Sequence, residues 1–449
     1  MDDIVRKAGQ DEPELLIFGA EAFTSEEYAK AEPENLWRKV WQHACREEDI
    51  PEVGDYVAYD ICDDTILVVR SAPDRISAFY NVCAHRGRRL ADGCGRVQEF
   101  RCSYHAWKYD LEGRCTRVLD RQDWGDRLGQ DRLDLPHVKV DTWGGWVWIN
   151  MDPDAVPLRE YLEPASSMLE PYELDRMRYR WRQWCHFDCN WKVAMEAFIE
   201  SYHVEGTHPQ LLKFADYYTW SQAESLHSFH GFDEREAAHE VSGNNTITRT
   251  GRGDDARKSI AALQVELIET VNASTTQTFV DASTRLVDEL PEDTPVDEVM
   301  AHFMASAKAD DERRGVIWPE VDADHQAKCG IAWHLFPNMT IGIGITFALI
   351  YRVRPYRTDP DKCVFEAYTL ERFPEGQEPE TEWKHADPFE PGAWPPVLVQ
   401  DFDNMREVHR GMRSQGFRGC LPNPVQEQPV SNFHRSLAGY MGAGAPRPL

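Results

Sequence analysis

The 449-residue sequence predicts an α+β protein of two unequal parts, a small antiparallel β domain and a larger domain of helices and antiparallel strands. Three observations carry this expectation. Short strand patterns punctuated by turn residues fill residues 54–150. The segment MDPDAVP at 151–157 reads as a linker, after which helical patterns alternate with longer strands. The chain is also long enough for two hydrophobic cores. The division expected is an N-terminal helical segment over 1–38 packing on the large domain, a β domain over 39–155 and the large domain over 156–449.

In order along the chain, residues 25–50 read as one helix ending near Pro51, with Trp37, Val40 and Trp41 at helical spacing. The strands DYVAYD, TILVVR, ISAFYNV and WGGWVWIN follow. A strand over 178–188 comes next, and Asn190 is placed to cap a helix starting at Trp191. Two acidic helical patterns, at 257–271 and 296–309, are joined by a Pro- and acid-rich stretch. Strands return at 331–355 and 362–373, and helices at 397–414 and 427–440. The glycines of IGIGIT (341–346) lack the third glycine and following helix of a dinucleotide loop, so the segment reads as a strand.

Composition narrows the function classes. Hydrophobic residues make up 42% and charged residues 28% of the chain, an ordinary globular balance. A formal net charge of −28 disfavours nucleic acid and anionic lipid as partners. No apolar run reaches membrane-helix length. The first residues, MDDIVRKAGQDEPELL, lack a basic segment followed by an apolar one, so a cytoplasmic location is expected. There the 11 cysteines are expected to be reduced, as ligands or small core residues. The sequons at Asn245, Asn272 and Asn338 then read as chance matches.

Two Cys-His pairs stand out. Cys83-Ala-His85 follows one strand and Cys102-Ser-Tyr-His105 another, with 16 residues between His85 and Cys102. Each pair puts a thiolate and an imidazole on a tight loop, and two facing loops can hold a two-iron cluster with Cys₂ on one iron and His₂ on the other. Neutral imidazoles lower the cluster's negative charge and raise its potential. Zinc would also accept Cys₂His₂, although this spacing is not that of a zinc finger.

CAHRG followed by CSYHAWKYDLEG resembles the cluster motif of Rieske proteins, in the form found in ring-hydroxylating non-haem iron oxygenases. The usual second loop is C-P-x-H-G-W, so Ser103 and Ala106 depart from it without replacing a ligand. Cys94 and Cys115 do not stand where respiratory-chain members carry a bracing disulfide.

The second constellation is NWKVAMEAFIESYHVEGTHPQ, 190–210. On an ideal helix Glu200 and His203 lie about 40° and about −20° around from Glu196, so the three share a face. Gly206 and the Thr-His-Pro turn interrupt that helix, which lets His208 return beside His203. A distant carboxylate would complete a two-His-one-carboxylate iron site with open positions. Asp401 is the leading candidate and Asp403 its competitor. His43, His227, His230, His239 and His434 read as packing residues.

The same resemblance implies that His203, His208 and Asp401 ligate a mononuclear Fe(II). It implies that Glu200 is the acid linking that iron to a Rieske histidine, where many members have Asp; Ala197 replaces the frequent Asn. It further implies a Rieske [2Fe-2S] antiparallel β domain beside a helix-grip (START/Bet v1-like) catalytic domain, whose antiparallel sheet wraps a long C-terminal helix. An aromatic substrate, dihydroxylated with O₂, is the family's commonest case. Monohydroxylation or O- or N-demethylation at a non-ring carbon is the alternative, and the rivals are a Rieske electron carrier and a binding protein with a vestigial iron site. Electrons would come from a reductase, with or without a ferredoxin. The implied assembly is a homotrimer, with or without a β subunit, in which the cluster of one chain serves the iron of the next. The 211–330 stretch is expected to supply pocket wall or surface decoration.

Overall fold

The computed structural model describes residues 14–211, 218–233 and 255–449. Two compact units divide the chain. The smaller holds Lys30–Leu162 and Tyr356–Thr358; the larger holds the rest. These borders fall near 29/30 and 162/163, where the sequence suggested 38/39 and 155/156. The helix Leu158–Leu162 follows the linker-like segment and belongs to the smaller unit.

The smaller unit is built from short antiparallel sheets. One runs Arg75–Tyr80, Asp64–Ala72, Asp55–Ile61, Cys94–Arg96; a second runs Phe100–Arg101, Lys108–Tyr109, Cys115–Arg117. Their shared core includes Leu67, Phe79, Phe100, Trp107, Tyr109 and Leu135, and both Cys83 and Cys102 are buried in it. A third sheet pairs Trp146–Asn150 with Lys139–Trp143 and with Gln42–Arg46. This last strand corrects the expected helix over 25–50. The helix Glu26–Glu32 passes into a wide turn, Pro33–Trp37, and stops. All five residues of Gln42–Arg46 are buried, so the ladder to Trp146–Ile149 outweighs the helical spacing of Trp37, Val40 and Trp41.

The larger unit is organised by an eight-stranded sheet. Its order is Tyr218–Glu224, His227–Asp233, Ala332–Leu335, Met339–Ile343, Phe347–Tyr356, Asp359–Glu371, Arg178–Phe187, Lys384–His385. The last strand joins in parallel to an otherwise antiparallel sheet. Alternation divides the two faces of the long strands. Tyr351 and Phe365 turn to one side and stack with Phe198, while Arg352, Arg354 and Glu366 form a buried ion-paired cluster on the other. The C-terminal helix Gln428–Met441 packs Phe433 against His334, Phe336 and Trp191. The expected helices at 257–271, 296–309 and 397–414 form as Ala256–Thr270, Val296–Arg314 and Pro396–Met412. Leu267 packs on Val204 and Leu211, so the first of these touches the segment bearing the candidate ligands. Among the described residues, no helix is long and apolar enough to cross a membrane. His239 and Asn245 lie outside the described residues.

Candidate functional site

In the smaller unit the two Cys-His loops are closed by matching backbone bonds. Gly87 N–H donates to Cys83 O (2.9 Å) and Cys83 N–H to Arg88 O (2.9 Å); Ala106 N–H donates to Cys102 O (2.9 Å) and Cys102 N–H to Trp107 O (2.8 Å). The fifth residue of each loop is left-handed, Gly87 at φ 74° and Ala106 at φ 58°. Ser103, the other departure from the usual motif, accepts a hydrogen bond from Arg88 Nε (2.6 Å) and so ties the loops together.

The loops bring the four predicted donors to one place. His85 Nδ1 and His105 Nδ1 lie 3.1 Å apart, and the His85 ring is stacked on Trp107. The two thiols lie buried on the inner side, where burial pushes the Cys83 thiol above its ordinary value. Tyr109, not singled out by the sequence, donates its hydroxyl toward Cys83 Sγ (3.3 Å) and accepts from Ala84 N–H (3.0 Å). Two apposed imidazole nitrogens and two buried thiols fit a Cys₂His₂ cluster.

In the larger unit Asn190 caps the helix Trp191–Glu196 by accepting from Lys192 N–H (3.0 Å), as its sequence position suggests. The helix then ends at Glu196, which corrects the single face expected for Glu196, Glu200 and His203. Glu196 instead pairs with His434 on the C-terminal helix. Glu200 and His203 meet through a turn: Glu200 Oε2 accepts from the N–H groups of Tyr202 and His203, and Oε1 lies 2.7 Å from His203 Nδ1. A single helical turn, Val204–Thr207, carries the chain from His203 to His208. Gly206 lies inside that turn. The break comes at His208 (φ −123°, ψ 53°), because Pro209 disfavours helical geometry in the residue before it.

Here the donors converge. His203, His208 and Asp401 place one ligand atom each within 4.8 Å of one another. Asp401 Oδ1 is 2.9 Å from His208 Nε2 and 3.7 Å from His203 Nε2. Both histidines have Nδ1 committed elsewhere, His203 to Glu200 and His208 to Gln400 Oε1 at 2.8 Å. An Nδ1–H donor leaves Nε2 with a free lone pair, so two lone pairs and a carboxylate face a common point. A cation there satisfies all three. The surroundings favour positive charge: although burial opposes it, Glu200 and Asp401 push the His203 imidazole up to about 9. Asp403, the competing acid, is exposed and pairs with Arg406.

A cavity of about 470 Å³ borders the centre, lined in part by Glu196, Glu200, His203, Asp401, Asn404 and Glu427. Burial, with Glu200 and Glu196 nearby, pushes the Glu427 carboxyl up to about 7. On the sheet side, Tyr351 is buried beside Asp401, and burial with that carboxylate nearby pushes its phenol well up. Gln400, Glu427 and Tyr351 were not found from the sequence; only Gln400, adjacent to Asp401, had a positional signal. His230, read as a packing residue, is buried and bonded to Ser201 Oγ (2.9 Å).

Residues 40–124 match the family model for the Rieske [2Fe-2S] domain, and 174–443 that for the ring hydroxylating alpha subunit (catalytic domain). The glycine betaine monooxygenase oxygenase subunit of Pseudomonas aeruginosa is 30% identical over 181 residues, 40% of this chain and 42% of that protein. Biphenyl 2,3-dioxygenase subunit alpha of Rhodococcus jostii is 32% identical over 206 residues, 42% of each chain. The matched stretches thus span less than half of these relatives' lengths. A solved quaternary ammonium Rieske monooxygenase, described for carnitine oxidation and inter-subunit electron transfer, superposes with TM-score 0.63 over 97% of this chain and 100% of that one, at 18% identity. With its catalytic-domain match covering more than half of its length, the chain belongs to the ring-hydroxylating alpha-subunit family, joining a Rieske [2Fe-2S] domain to a catalytic domain that binds mononuclear iron.

Proposed function

We propose that the chain is the terminal oxygenase component of a Rieske monooxygenase acting on a small quaternary ammonium compound. The observation that carries the oxygenase part is the convergence of His203 Nε2, His208 Nε2 and Asp401 Oδ1 with both Nδ1 atoms already used. In this reading these three hold Fe(II), Cys83 and Cys102 hold one cluster iron, and His85 and His105 hold the other. When bound, the mononuclear iron supplies a site for O₂ and the cluster supplies electrons singly. The net reaction inserts one oxygen atom into a C–H bond and reduces the other to water, using two electrons and two protons. A reductase, with or without a ferredoxin, delivers the electrons.

The chain's own residues do the positioning. Glu200 accepts from His203 Nδ1–H and offers its carboxylate to a Rieske histidine of a neighbouring copy in a homotrimer. Tyr351, buried on the sheet side beside Asp401, stays protonated there. The substrate class draws on the glycine betaine and carnitine enzymes among the relatives and on the acid-lined cavity beside the centre, which disfavours anions and suits a cation. The aromatic dihydroxylation expected from family frequency therefore becomes the second reading, supported by the biphenyl dioxygenase relative.

The test is anaerobic purification, iron and sulfide analysis, EPR after dithionite, then turnover of glycine betaine, carnitine and biphenyl with a surrogate reductase. About three irons per chain, a rhombic Rieske signal and coupled oxygen uptake with a betaine are expected. Turnover of biphenyl alone would move the assignment to the aromatic reading, and zinc without a Rieske signal would end both.

A further inference from the structure

We propose that Gln400 is a positioning residue of the metal centre, which selects the tautomer and fixes the ring of His208; this rests on His203, His208 and Asp401 being the iron ligands. Gln400 Oε1 accepts two hydrogen bonds, from His208 Nδ1–H (2.8 Å) and from Gln210 Nε2–H (2.8 Å). The pairing with Gln210 is reciprocal, since Gln400 Nε2 faces Gln210 Oε1 at 3.5 Å. The pair would stay reciprocal if both amides were reversed, so it is the metal that decides which end meets the histidine: a ligating Nε2 puts the ring proton on Nδ1, and Nδ1–H requires the amide oxygen opposite it. Were the Gln400 amide reversed, its N–H would face Nδ1, the ring proton would move to Nε2, and the lone pair aimed at the metal would be lost.

The helix position explains why this residue can do so. Gln400 directly precedes Asp401 on Pro396–Met412, so one helical turn presents both a ligand and the group that orients another. A second hydrogen bond, Asn404 Nδ2–H to Thr207 Oγ1 (2.8 Å), holds the His203–His208 segment against the same helix. The two histidines are consequently unequal. His203 is backed by a carboxylate, which makes its imidazole the stronger donor, and His208 by a neutral amide. Gln400 also borders a hollow of about 920 Å³ walled by Trp181, Phe389 and Trp394. Water entering there could replace the acceptor but would not hold the ring in one orientation, so removing the amide weakens the site without abolishing it.

Binding of Fe(II) to the full-length protein, measured by competition with a chromophoric chelator, tests the assignment without any turnover. Gln400→Leu should bind Fe(II) about tenfold to a hundredfold more weakly than wild type, and Gln210→Leu should lie between them. The Rieske EPR signal should stay intact in both, which reports folding. Gln400→Glu restores an acceptor and should recover the affinity. It should also shift the visible bands of the Co(II)-substituted site, because a second imidazole is then backed by a carboxylate; a packing role would leave those bands in place. Wild-type affinity in Gln400→Leu, or failure of Gln400→Glu to recover it, would overturn the inference while leaving the iron ligands standing. Absence of Fe(II) binding by the wild-type protein would overturn the ligand reading as well.

Discussion

Ala106 occupies a backbone position that glycine would hold more easily. Its φ of 58° closes the second cluster loop as Gly87, at 74°, closes the first. An L-residue with a Cβ in the left-handed region carries a cost of roughly 1–2 kcal/mol relative to glycine. Glycine would in turn add unfolded-state entropy worth about 0.5–1 kcal/mol. Ala106→Gly should therefore be neutral to mildly stabilising, by at most about 1.5 kcal/mol. Ala106→Val should destabilise the loop and shed the cluster, because a β-branched side chain fits the left-handed region worst. Loss of the visible Rieske bands on heating measures both, and a lower midpoint in Ala106→Gly would show that the methyl is needed for packing. The same residue scale explains what the sequence could show of the site. Ligand residues are chemically rare and spaced by short loops, so Cys83, His85, Cys102 and His105 were legible as a set. Tyr109 and Gln400 are common residue types, and nothing marks them until folding brings them to Cys83 and His208.

Elements were legible where periodicity and burial agree. The strand Arg178–Phe187 and the helix capped by Asn190 formed within a residue or two of their sequence signals. Gln42–Arg46 did not, since its strand identity comes from a partner more than a hundred residues away at Trp146–Ile149. His208 could be expected near His203 only because Pro209 and Gly206 foretold a break, and only Pro209 causes it. One strand carries a consequence for pH. On Ala332–Leu335, His334 is fully buried against Phe433, with Nε2 bonded to Pro337 O (3.3 Å) and no partner for Nδ1 among the described residues. Burial pushes this imidazole down to about 3, and the nearby His227 works in the same direction. The folded chain thus keeps it neutral while the unfolded chain, near the ordinary 6.5, takes up a proton. Stability from this group is complete above about pH 6.5 and declines as pH falls toward 3, by roughly 2 kcal/mol at pH 5. His334→Phe removes the titration, so the difference in thermal midpoint between it and wild type should move in the variant's favour between pH 7 and pH 5. A difference that stays constant would assign the acid sensitivity elsewhere.

At the scale of the whole molecule, the chain carries the proposed ligands of both a cluster and an iron, yet the proposed electron path runs between copies. That arrangement makes a prediction that no single-chain path shares. His105→Ala should spoil the cluster and leave His203, His208 and Asp401 in place; His203→Ala should spoil the iron site and leave the cluster. Each variant alone should be inactive. In a ring, a working pair needs an intact cluster on one copy and an intact iron site on the next. Co-expressed at equal levels and assembled at random, the two variants meet that condition at about one interface in four. Mixed trimers should therefore recover about a quarter of wild-type turnover, with the activity tracking the mixed species when the two chains carry different affinity tags. Electron transfer within one chain would leave the mixture as inactive as its parents, because no single copy holds both intact centres. Glu200→Gln in the iron-competent copy separates the route from the assembly. It should leave trimers mixed and metals bound while turnover falls, since a neutral amide no longer offers a carboxylate to both His203 and the neighbour's imidazole.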